Sequence, residues 1–121
     1  MNVINMLRHE KGTIEAPAGT VIFRHGDPGD AMFAVLDGTV LIQKDNVLLE
    51  EIPAGGIFGE MALVDGAARS ADAIAQTDVQ LAKIDEQRFL TLAQYNPYFT
   101  LEILRVTVAR LRRRVEANGN S

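Results

Sequence analysis

The stretch FGEMALVDGAARSA, residues 58–71, sets Glu60 and Arg69 in a run that is otherwise small or apolar, apart from Asp65 and Ser70. These residue types suit the chemistry of holding a sugar phosphate. A phosphate needs N–H donors without partners, as found where a helix or tight turn begins. Gly59 permits close approach of the backbone, EMAL (residues 60–63, including Met61) can form a short helical turn, and small Ala62 leaves its N–H accessible. Arg69 supplies a fixed, forked cation that matches phosphate oxygens. Ser70 adds a hydroxyl donor, and Glu60 can accept from a ribose hydroxyl. Gly66, Ala67 and Ala68 keep the loop small enough to wrap a ligand. The candidate ligand-binding residues are therefore Gly59, Glu60, Met61, Ala62, Arg69 and Ser70. The competing assignment is an ordinary Glu60–Arg69 salt bridge. On an exposed loop such a pair contributes at most about 1 kcal/mol, and a buried one must recover a large desolvation cost. The residue types alone leave both assignments open.

The elements that must position these residues are legible from periodicity. Short β-rich runs, TIEA, TVIFR, AMFAVLD, TVLIQK, VLLEEI, SADAIA and VQLAKI, recur between Gly, Pro, Asp and Asn. Such spacing predicts a sandwich, roll or barrel. HGDPGD (25–30) predicts a turn containing His25, and LDGTV and KDNV read as hairpin turns. After Asp85 the pattern becomes helical. DEQRFLTLAQY (about 85–95) opens on Asp85 as N-cap with Glu86 behind it and stops at Asn96-Pro97. A second helix is expected over about 97–115, with NGNS as a frayed tail.

That second helix carries Leu101, Leu104, Val108, Leu111 and Val115 at alternating spacings of 3 and 4. This is a heptad seam, which either packs on the domain or associates with a second copy. RLRRR (110–114) reads as a solvated helix C-terminus, where arginine offsets the helix dipole, in preference to a DNA or lipid contact. Phe89, Leu92, Tyr95 and Phe99 are expected in the core, with Tyr95 and Phe99 as alternative hinge contacts.

The 121 residues correspond to one domain, 1–121, and nearly half of them are apolar. A net charge of −4 argues against a general nucleic-acid binder. Cysteine is absent, so thiolate chemistry is excluded. The opening MNVINMLRHEKG has neither a long apolar core nor a small-residue cleavage site. A soluble, cytoplasmic protein without membrane contact is expected. His9 and His25 are the only histidines and stand in no ligand pair, so no metal site and no enzymatic activity are expected.

Phe58-Gly59-Glu60, Met61-Ala62-Leu63 and Arg69-Ser70-Ala71 together resemble the phosphate-binding cassette of the cyclic nucleotide-binding domain family. GDPGDAMFAVLDGTV (26–40) resembles that family's glycine-framed pair of strands. The resemblance covers roughly residues 13–115. It implies a mainly β fold: an eight-stranded antiparallel β-roll (about 13–84), a short cassette helix and two C-terminal helices. It implies that Glu60 accepts from the ribose 2′-hydroxyl and that Arg69 pairs with the cyclic phosphate. The N–H groups around Ala62, with Ser70, would complete the phosphate shell. Leu49 and Ile57 would pack on the base, and the second C-terminal helix would form a lid hinged at Asn96-Pro97. The ligand would be cAMP or cGMP, with no other cofactor. Ser70 is compatible with either base, and cAMP is slightly favoured. Asp72 departs from the family pattern, which commonly has threonine or another uncharged residue there; a carboxylate facing the site would repel a phosphate. No output domain is expected after the lid helix. Two functions are consistent with these features. One is a receptor that passes nucleotide binding to an effector protein or to a homodimer seam over 101–115. The other is an adaptor or homodimeric scaffold that has lost nucleotide binding.

Overall fold

The computed structural model describes residue 7 and residues 12–117. His9, most of MNVINMLRHEKG and the NGNS tail lie outside the described residues. The strands are β1 (Thr13–Ala16), β2 (Val21–Phe23), β3 (Ala31–Asp37), β4 (Thr39–Lys44), β5 (Val47–Pro53), β6 (Ile57–Phe58), β7 (Asp72–Ala75) and β8 (Val79–Asp85). The helices are α1 (Glu60–Asp65), α2 (Glu86–Tyr95) and α3 (Pro97–Ala117). They coincide with the expected runs, and β6 is added. The strands form two four-stranded antiparallel sheets, ordered β1-β8-β3-β6 and β2-β7-β4-β5.

The continuous apolar run AMFAVL in β3 is buried along its whole length, as a strand covered on both faces must be. Phe33 and Val35 enter a core that also contains Val40, Ile52, Phe58, Ala73, Ala75 and Leu81, contributed by both sheets. The alternate residues Met32, Ala34 and Leu36 turn the other way and join Leu7, Ile84, Phe99 and Ile103 beneath the C-terminal helices. Period-2 alternation thus lets one strand serve two cores.

The two expected hairpins differ. Asp45 and Asn46 both take positive φ, 52° and 64°, and join the paired strands β4 and β5 as a tight two-residue turn. LDGTV is not a hairpin: β3 pairs with β6 and β8, whereas β4 pairs with β5 and β7. Asp37-Gly38-Thr39 instead carries the chain from one sheet to the other.

Asp85 caps α2 by accepting from Arg88 N at 2.8 Å, as the N-cap pattern requires. Phe89 and Leu92 pack against the core beneath the helices, and Phe89 meets Phe99 with ring centroids 5.6 Å apart. Tyr95 is not a core residue, because at 79% exposure it ends α2 facing solvent. The packed face of α3 is Phe99, Ile103, Val106 and Arg110. The heptad seam lies elsewhere on the helix: Leu101, Leu104, Val108, Leu111 and Val115 are 41–56% exposed. Packing on the domain is therefore not what covers the seam. No helix among the described residues is long and apolar enough to cross a membrane.

Phe99 is the main aromatic anchor of α3. Phe99→Ala should destabilise the fold by about 3–5 kcal/mol, read from the midpoint of urea unfolding. A midpoint within error of the parent would contradict the placement of α3.

Candidate functional site

Arg69 lies in the segment between α1 (Glu60–Asp65) and β7 (Asp72–Ala75), and the HGDPGD turn fixes it. Its N–H donates to the Asp27 carbonyl at 2.8 Å, and its carbonyl accepts from Gly26 N at 2.8 Å. The HGDPGD turn thus works as a clamp on the arginine backbone. The turn is itself tied down, because Arg24 N donates to Asp27 Oδ2 at 2.9 Å and His25 N donates to Asp72 Oδ1 at 2.7 Å. Gly29 fits here because a Cβ would stand 2.2 Å from that of Ala62. The Asp72 carboxylate is therefore engaged by the turn and does not line the cavity described below.

The Arg69 side chain is 4% exposed. Its Nη1 donates to the Gly59 carbonyl at 3.0 Å, and its Nη2 donates to the Ala31 carbonyl. Cζ sits 4.2 Å from the Phe23 ring centroid and 5.9 Å from that of Phe33, a geometry in which the ring face attracts the cation. Nε is buried without a hydrogen-bond partner. Burial pushes the guanidinium pKa below that of an ordinary arginine, while the fields of Asp30, Asp27 and Glu60 oppose that shift. Gly59 is required beneath it: φ is +79°, and a Cβ would lie 2.7 Å from Nη1.

Glu60, 3% exposed at the start of α1, does not pair with Arg69. Its Oε1 accepts from Nη1 of Arg110 at 2.6 Å. Arg110, 7% exposed, also donates through Nε to Glu50 Oε1 at 3.0 Å, through Nη2 to Glu50 Oε2 at 3.2 Å, and through Nη2 to the Ile57 carbonyl. One α3 guanidinium therefore ties together β5, β6 and α1. The Glu60 carboxylate thus pairs with Arg110, and Arg69 has no salt-bridge partner among the described residues, although the field of Glu60 still reaches it.

Between Arg69 and Arg110 lies a cavity of about 270 Å³, close to the lower end of small-ligand sites. Gly59, Glu60, Met61, Ala62, Arg69 and Ser70 all line it. Phe23, Ile42, Glu50, Arg110 and Arg114 also line it, and sequence reasoning missed them. Arg110 follows Phe99, Ile103 and Val106 at spacings of 4, 3 and 4, so its position on the packed face was the available signal. Its place within RLRRR pointed to solvent instead. Neither Leu49 nor Ile57 is among the residues that line the cavity. Ile57 points into the core beneath the helices. Leu49 is exposed at a register shift, where Ile42 opposes Glu50 and Gln43 opposes Leu48; the extra residue of such a bulge breaks simple alternation.

The cyclic nucleotide-binding domain family profile matches residues 13–96. The chain belongs to that family. It is 42% identical over 96 residues to a cyclic nucleotide-gated potassium channel of Mesorhizobium japonicum, spanning 79% of this chain and 26% of the channel. The catabolite activator protein of Thermus thermophilus superposes with a TM-score of 0.76 at 29% identity, over 90% of this chain and 53% of that one. A cAMP-bound structure of PfPKA-R superposes with a TM-score of 0.75 at 28% identity, over 89% and 37%. The family's β-roll with C-terminal helices is the fold observed here, and this chain spans about a quarter of the channel's length.

Arg110→Ala leaves the Glu60 carboxylate buried without its partner and should cost about 3–5 kcal/mol of stability. The double variant Glu60→Gln/Arg110→Met should recover most of that loss. Equal unfolding midpoints for the parent and Arg110→Ala would contradict the network.

Proposed function

We propose that this domain is a non-enzymatic receptor for a 3′,5′-cyclic nucleotide and reports occupancy through α3. The observation that carries this is the buried Arg69 guanidinium, which borders a cavity with Nε unpartnered and no carboxylate paired to it among the described residues. A monoanionic phosphodiester supplies both the missing acceptor and the missing charge. In this arrangement Arg69 takes the cyclic phosphate, and Gly59, Ala62 and Ser70 surround it. Met61 borders the ligand, and Glu60 accepts from the ribose 2′-hydroxyl.

Glu60 would then serve two masters, the ribose and Arg110 of α3. Ligand that binds better when α3 is docked shifts the population toward the docked form. Such a shift is the transmission step, with Asn96-Pro97 as its hinge. Ser70 does not select the base, so the slight lean toward cAMP has no support beyond the resemblance.

The exposed seam of α3 is the output surface for a second copy. Val108 and Val115 with Leu101 occupy the a positions, and Leu104 and Leu111 occupy d, a pattern that favours two parallel strands. An antiparallel pair would set Arg105 against Arg112 of the other copy. A parallel pair sets Thr107 against Arg112.

Calorimetry with cyclic nucleotide tests the receptor. Arg69→Ala should weaken binding by about 2–5 kcal/mol, and unchanged affinity would refute the assigned role. No heat change for the parent at millimolar ligand would favour the adaptor that has lost binding. Leu104→Glu/Leu111→Glu should sediment as a monomer at concentrations where the parent is a dimer. Identical sedimentation of parent and variant would remove the seam from the account.

A further inference from the structure

We infer that Met61 is an oxidation site and that its sulfoxide fastens α3 to α1 through Arg114. Two contacts join these helices, one turn of α3 apart, and they differ in strength. Arg110 donates to the buried Glu60 carboxylate at 2.6 Å. Arg114 Nη1 donates to the Met61 thioether at 3.4 Å, and sulfur is a weak acceptor. Among the described residues Arg114 has no other acceptor, and its side chain is exposed. Met61 is half-buried and lines the cavity, so a small molecule that enters can reach it. The other methionines are placed differently. Met32 is fully buried in the core beneath the helices, and Met1 and Met6 lie outside the described residues.

The oxidant is a hydroperoxide, with hydrogen peroxide the simplest. A sulfur lone pair attacks one peroxide oxygen, the S–O bond forms and the O–O bond breaks. The proton of the attacked oxygen passes to the departing hydroxide, which leaves as water. Sulfur is oxidised to the sulfoxide and the peroxide is reduced, and methionine sulfoxide reductases reverse the change. The product replaces an apolar thioether with a polar oxygen. That oxygen stands beside a guanidinium, a charged donor whose hydrogen bonds are stronger than those between neutral groups. Methionine's unbranched, flexible side chain lets the new oxygen turn toward Nη1. Oxidation therefore strengthens the weaker of the two contacts and holds the last turns of α3 on α1. Neither the oxidation nor its effect on α3 depends on the nucleotide-receptor function proposed above.

Hydrogen peroxide treatment of the full, ligand-free chain tests this, with peptide mass spectrometry to locate the added oxygen and amide hydrogen exchange to follow α3. Met61 should be oxidised before Met32. Exchange in the last two turns of α3 should then slow about fivefold relative to the untreated protein. In Met61→Leu, compared with itself before treatment, peroxide should leave that exchange unchanged. In Arg114→Ala, Met61 should still be oxidised but α3 should show no slowing. Oxidation of Met32 ahead of Met61 would overturn the assignment of the site. Unchanged or faster exchange of α3 in the oxidised parent, or slowing that persists in Arg114→Ala or Met61→Leu, would overturn the fastening. Each of these results leaves the receptor function standing, since no nucleotide is present.

Discussion

A guanidinium buried against an aromatic ring, with part of its hydrogen bonding unmet, is the constraint on which the rest of the site depends. The carbonyls of Gly59 and Ala31 satisfy two nitrogens of Arg69, and the Phe23 face attracts the charge. None of these carries a full negative charge. The fields of Asp27, Asp30 and Glu60 act on the cation but do not outweigh its desolvation. A cation held this way is strained electrostatically and ordered geometrically. Much of the surrounding sequence serves the ordering: the HGDPGD turn fixes the backbone, Gly29 admits α1, and Gly59 leaves room for Nη1.

Arg110 solves the complementary problem. Glu60 is buried one residue from Gly59, and without a partner its charge would cost several kcal/mol. Pairing it with Arg69 would neutralise the site internally. Pairing it with α3 neutralises Glu60, docks the helix and leaves Arg69 available. One carboxylate therefore joins the helix to the wall of the cavity. Glu50 and the Ile57 carbonyl complete the donor accounting of Arg110, so the buried helix contact is satisfied and specific.

The strands and C-terminal helices were legible because their patterns are local: alternation, turn chemistry, the Asp85 cap and the proline at position 97. Strand β6 was not read, because two residues, Ile57-Phe58, give no period. The six candidate residues line one cavity, yet the partner of Glu60 is not visible in the sequence. Charge pattern shows that Glu60 and Arg69 are close along the chain, whereas the partner of Glu60 comes from 50 residues away. The same limit explains the α3 stripe. A heptad states that a face is apolar and leaves open what covers it, and the shorter face ending at Arg110 is the one that packs. Phe23 and Phe33 read as ordinary strand residues, because a ring under a guanidinium looks like any other core aromatic in sequence.

The Arg69 Nε–H resonance, followed by ¹⁵N NMR while cyclic nucleotide is added, is the most direct probe of the central claim. A phosphate oxygen that accepts from Nε–H should move that resonance strongly downfield and slow its exchange with water, in step with saturation. A resonance that stays in place while the ligand saturates the protein would mean that the phosphate is held elsewhere and that Arg69 only supports its own loop.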